Sequence, residues 1–146
     1  MKGPFRKILV ATDGSPSSLK AARLAAELAH TYEAELIALH VVDEDLLPDL
    51  RRFSGKSARD ARELLSEEGR KCLRDVERIA QEQWVKTVPE LRPGVPHEVL
   101  LDLAAKERVD LVVMGTVGRR GPRRRLMGSM TQRVIDASEA PVLVVK

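Results

Sequence analysis

Four short apolar runs stand out along the chain: Ile8-Leu9-Val10-Ala11, the segment Leu36 to Val42, Leu111-Val112-Val113-Met114 and Val142-Leu143-Val144-Val145. None alternates with polar positions, so each reads as a strand covered on both faces, the habit of parallel sheets. Between the first two runs, Ala21, Leu24, Ala25, Leu28 and Tyr32 recur at helical spacing. That helix has a marked start, because Ser15 can cap free N–H groups and Pro16 suits the first helical position, where its missing N–H does no harm. A longer helix is expected from about Ala58 to Trp84, with Leu65, Cys72, Val76 and Ile79 inward. A third follows Pro96, with Leu100, Leu103 and Ala104 inward, and a last one covers about Ser129 to Ala137. Thr87 to Leu91 reads as a weaker strand whose Pro89 suits a sheet edge. The charged stretch from Asp43 to Lys56, with Pro48 and Gly55, is expected to be the least ordered part, either a mobile flap or plain disorder.

Strands that alternate with helices in this way imply parallel crossovers, with helices on both faces of one open sheet. The 146 residues fit a single α/β domain, 1–146, whose core, with only 3% aromatic residues, must be built from Ala, Val, Leu and Ile. No apolar stretch approaches the roughly 20 residues of a membrane span. The apolar run after the basic N-terminus ends at Asp13, too early for a signal peptide, so a soluble, cytoplasmic protein is expected.

Charge changes the picture locally. The net charge is +3, from 25 Lys and Arg against 22 Asp and Glu, and five of the bases are Arg119, Arg120, Arg123, Arg124 and Arg125. Without those five the balance is 20 against 22, so the basicity points to an anion site more than to a general affinity for nucleic acid or membrane.

Few other residues recommend themselves for chemistry. Cys72, on the apolar stripe of a helix, reads as a small buried hydrophobe and not as a reactive thiol. His30, His40 and His97 are scattered over different elements with no metal-ligand spacing, and His40, in an apolar strand, reads as a core residue and not as a base. Gly55-Lys56-Ser57 resembles the end of a P-loop, but Leu50 stands where the leading glycine belongs and no strand precedes it, so it is set aside.

The strongest motif is Gly115-x2-Gly118-x9-Gly128-Ser129, which begins at the end of the fourth strand, Leu111 to Met114, and finishes in the first turn of the last helix. Glycine lets backbone approach a phosphate with no Cβ in the way, and a helix start adds unpaired N–H groups and the positive end of the dipole. Ser129 and Thr131 can add hydroxyl hydrogen bonds.

With this motif, the opening Ile8 to Ser15, the run Asp110 to Arg119 and the ending Ala140 to Lys146, the sequence resembles the universal stress protein family in its ATP-binding branch. The resemblance implies an adenine nucleotide alpha hydrolase-like, Rossmann-like sheet of five parallel strands in the order 3-2-1-4-5. Its ligand would sit where strands one and four part, at their carboxyl ends. By that analogy Ala11, Thr12 and Asp13 line the ribose side, with Asp13 accepting a sugar hydroxyl, and the backbone of Val41 meets the adenine edge. Met114 and Gly115 pack by the nucleoside, while Gly118, Arg119, Gly128, Ser129, Met130 and Thr131 hold the phosphates. The arginine run is more basic than the family's phosphate loop needs, and one or two of its guanidinium groups could clamp a triphosphate.

The resulting expectation is an ATP-binding regulatory protein of the stress response, with Mg²⁺ bridging the phosphates, no catalytic residue, and at most slow hydrolysis. It would act on a protein partner that the sequence does not identify. A homodimer is expected along Val142 to Val145, an apolar edge strand with no proline or charge inside it. Two alternatives stand beside this reading. A nucleotide-cleaving or adenylating enzyme would want a more elaborate first loop and a second domain, and a nucleic-acid module using Arg119 to Arg125 would want aromatic residues among the arginines for stacking.

Overall fold

The computed structural model describes residues 3–116 and 128–146. Five strands, β1 (Lys7–Ala11), β2 (Glu35–Asp43), β3 (Thr87–Gly94), β4 (Leu111–Gly115) and β5 (Val142–Val145), form one sheet in the order β3-β2-β1-β4-β5. Every neighbouring pair is parallel. The helices are α1 (Pro16–Tyr32), α2 (Leu47–Ser54), α3 (Ala58–Glu82), α4 (Pro96–Glu107) and α5 (Ser129–Ala137). None of them is long and apolar enough to cross a membrane.

β1, β2 and β4 divide their side chains between two cores. Ile8, Val10, Leu36, Ala38 and Val113 pack under α1 and α3, while Leu9, Ile37, Leu39, Val112 and Met114 pack under α4 and α5. This two-sided burial is why the runs lack polar alternation. The buried stripe of α1 is Ala21, Ala22, Ala25, Ala26 and Ala29, with Leu24, Leu28 and Tyr32 only half-buried at its flank. The stripe is therefore rotated from the expected one, because a helix lying close over the central strands places its smallest side chains against them. In α3, Cys72, Val76 and Ile79 are buried as expected, and Leu65 is half-buried near the strand ends.

The stretch after β2 departs from expectation. Glu44–Leu46 forms a 3-10 turn that runs into α2, and Gly55, in the left-handed region at φ 70°, ends that helix by donating its N–H to Arg51 O at 2.9 Å. Both local signals were present in the sequence, Pro48 in the first turn and glycine at the stop, but the surrounding charges masked them.

The two sheet edges differ. Pro89 and Pro93 of β3 are four residues apart and so share one side of that strand, and the β2–β3 register runs unbroken through both, from Leu36↔Thr87 to Asp43↔Gly94. The missing N–H groups therefore fall on the outward side. β5, at the opposite edge, contains only Val142, Leu143, Val144 and Val145, all half-buried.

Candidate functional site

At the carboxyl ends of β1, β2 and β4 the chain opens a cavity of about 750 Å³. Its floor is the turn after β1. Thr12, buried, donates its N–H to Leu39 O at 2.9 Å, and its Oγ1 accepts the Gly14 N–H at 3.3 Å. Asp13 Oδ1 accepts the Ser15 N–H at 2.9 Å, an Asx turn, and Gly14 takes φ 81° so that the chain can reverse. Ser15 then caps α1 by accepting the Ser18 N–H. The carboxylate of Asp13 is thereby fixed at the cavity wall.

The second wall comes from β4 and α5. Gly115 lies against the first turn of α1 so closely that a Cβ there would run into Ser17 Oγ and stand 2.9 Å from the Ser17 carbonyl carbon. Gly128 donates to Thr116 O at 2.8 Å, which brings the start of α5 back to the end of β4. Gly128 is the N-cap of α5 and makes no side-chain cap bond. The first-turn N–H groups of a helix have no partners within the helix, and here they begin beside the cavity with no capping side chain in front of them. Thr131, read as a hydroxyl donor to phosphate, instead donates that proton to Gly115 O at 2.9 Å and is buried, so its side chain ties α5 to β4.

Ten of the twelve residues named from the sequence line this one cavity: Ala11, Thr12, Asp13, Val41, Met114, Gly115, Gly128, Ser129, Met130 and Thr131. The other two, Gly118 and Arg119, and the rest of the arginine run to Arg125, lie outside the described residues. The lining also holds residues that the motif did not point to, among them His40, Asp43, Leu46, Leu65, Glu68 and His97. They arrive from the end of β2, the turn after it, α3 and the start of α4, and no local spacing connects them. Asp13, Asp43, Asp45 and Glu68 bring acidic groups to the lining, while the starts of α4 and α5 and the side chain of Arg133 bring positive character. Among the described residues, no three His, Cys, Asp or Glu side chains gather as a metal site.

The fold agrees with that of known proteins. A family model described as the universal stress protein family matches residues 4–146. Universal stress protein MJ0531 of Methanocaldococcus jannaschii is 41% identical over 146 residues, covering 97% of this chain and 82% of that relative. The solved structure of universal stress protein UspA from Lactobacillus plantarum superposes with a TM-score of 0.83 at 25% identity, covering 99% of this chain and all of the other. A universal stress protein crystallised in complex with cAMP superposes with a TM-score of 0.70 at 27% identity, covering 97% of this chain and 96% of that one.

Proposed function

This chain belongs to the universal stress protein family, and from that premise we propose that it is a regulatory protein whose cavity binds an adenine nucleotide, ATP in the first place. One observation carries the reading. Ten of the residues named from the sequence, from four separate segments, line one cavity, together with a fixed carboxylate on the β1 turn and the uncapped start of α5.

In this reading Asp13 accepts a ribose hydroxyl and the backbone of Val41 meets the base. Met114 and Gly115 flank the nucleoside. The N–H groups at the start of α5, with Ser129, Gly118 and Arg119, take the phosphates. Mg²⁺ accompanying a triphosphate would be held chiefly by phosphate oxygens and water, as is usual for this small, hard ion. The relative that holds cAMP supports the ligand class. The assignment is to binding and signalling and not to turnover, with two copies pairing antiparallel along β5 in the cytoplasm.

Calorimetric and thermal-melt titration with ATP, AMP and cAMP tests the site. A ligand at a hundred times its Kd stabilises the folded state by about 2.7 kcal/mol, which for a chain of this length raises the Tm by roughly 5 to 11 °C. Absence of saturable heat and of any Tm shift with every adenine nucleotide at millimolar concentration would overturn the assignment.

A further inference from the structure

β1 and β2 stay in register up to Ala11↔Leu39, and one further rung is made when Thr12 donates its N–H to Leu39 O. In a regular parallel ladder the next rung would run from the Val41 N–H to the Thr12 carbonyl, since Val41 presents its backbone groups on the same side of β2 as Leu39. The structure puts a side chain there instead. His40 Nδ1 lies 2.8 Å from Thr12 O, and because a carbonyl can only accept, Nδ1 carries the proton.

The ring has a seat built for it. Gly69, inside α3, is where a Cβ would stand 2.5 Å from His40 Cδ2 and 2.7 Å from Leu91 Cδ1. A mid-helix glycine costs roughly 0.5 to 1 kcal/mol relative to alanine, and its presence there is explained by the room the imidazole needs. Leu91 is the register partner of His40 on β3. The ring thus lies between α3, β3 and the β1 turn, with Nδ1 on Thr12 O.

We propose that His40 is a positioning residue of the nucleotide site: by occupying the Thr12 carbonyl with its own N–H, it keeps the Val41 N–H out of the ladder and presents it at the cavity as the donor to an acceptor nitrogen of the base. The idea rests on the nucleotide reading for its ligand, but the exchange of donors is a property of the free protein. Without the imidazole donor, the Thr12 carbonyl is free to take the Val41 N–H, and the ladder closes over the donor that the ligand needs.

The test is amide hydrogen exchange at Val41, read residue by residue, in the wild type, His40→Leu and His40→Asn, combined with ATP titration. Asparagine can place an amide N–H close to the Nδ1 position, whereas leucine fills space without a donor. In the free wild type the Val41 amide should exchange quickly and slow at least tenfold when ATP binds. His40→Leu should slow it without ligand and weaken ATP about five- to tenfold, the worth of one hydrogen bond, and His40→Asn should restore both. A Val41 amide already protected in the free wild type overturns the proposal even if the leucine variant fails to fold. So does ATP binding that leaves its exchange unchanged, or a folded His40→Leu protein with wild-type exchange and affinity. If no adenine nucleotide binds the wild type, the nucleotide reading falls, while exchange in the free proteins still decides whether His40 controls Val41.

Discussion

Adding a single methyl group at Gly115 should loosen the junction that holds both walls of the cavity. The alanine Cβ would meet three atoms of Ser17: Oγ, and the carbonyl carbon and Cβ, each at 2.9 Å. The hydroxyl can rotate away, but the carbonyl carbon belongs to the first turn of α1, so relief requires α1 to move off β4 or β4 to bend. Forcing a methylene into a close-packed contact costs about 1 to 3 kcal/mol. Opposing it, Gly→Ala restricts the unfolded chain and returns about 0.4 to 1 kcal/mol where the native backbone suits alanine, as it does here because Gly115 is outside the left-handed region. The net expectation is a loss of about 1 to 2 kcal/mol. That corresponds to a fall in Tm of roughly 2 to 8 °C for a domain of this size.

Urea unfolding of Gly115→Ala, Ser17→Ala and the double variant measures it. Ser17→Ala removes Oγ but leaves the Cβ and carbonyl contacts, so the double variant should recover part of the loss, with a coupling of about 0.5 kcal/mol or more. ATP affinity should fall in Gly115→Ala as well, because α1 carries the Ser15 end of the turn that fixes Asp13. A Gly115→Ala protein as stable as the wild type, or strict additivity with Ser17→Ala, would show that the close approach does not constrain the fold.

Two further outcomes follow from the proposed site and assembly. Val144→Lys puts a charge on the open edge strand and should turn a dimer into a monomer in sedimentation at micromolar concentration, with the circular dichroism of the fold retained; a monomeric wild type, or a dimeric Val144→Lys protein, would refute pairing through β5. Arg119→Ala should weaken ATP by about 1 to 3 kcal/mol, the scale of a charged hydrogen bond, and AMP much less; equal losses, or RNA binding that falls steeply with salt and ignores ATP, would favour a nucleic-acid surface instead.

The sheet was legible because burial on both faces writes itself into the sequence as unbroken apolar runs, and the family resemblance supplied its order. Ser15 and Pro16 marked the start of α1, and Ser129 to Ala137 matches α5 residue for residue. What escaped was set by tertiary distance. The inward face of α1 depends on how near the helix lies to the sheet, which favours alanines over the leucines that a periodicity count selects. α2 hid behind its charges. At the site, the glycines and Asp13 could be read from short spacings, but Leu65 and Glu68 reach the cavity from α3 and His97 from α4 only after the chain has folded. His40 looked like core because it stands in an apolar run, and the carbonyl that engages it lies 28 positions away.

The unequal edges of the sheet set how far copies of this chain can add to one another. A sheet open along both margins can accept a new strand on each side, and such growth has no natural end. Here, a strand laid against β3 would find no donors at Pro89 and Pro93, while β5 offers an unbroken backbone. Antiparallel pairing of β5 with its own copy would consume the receptive margin of both molecules and leave a ten-stranded sheet with a proline-guarded rim at either end. Such an assembly would be self-limiting at two, and the same two prolines that weaken β3 as a strand would protect the pair from growing into a filament.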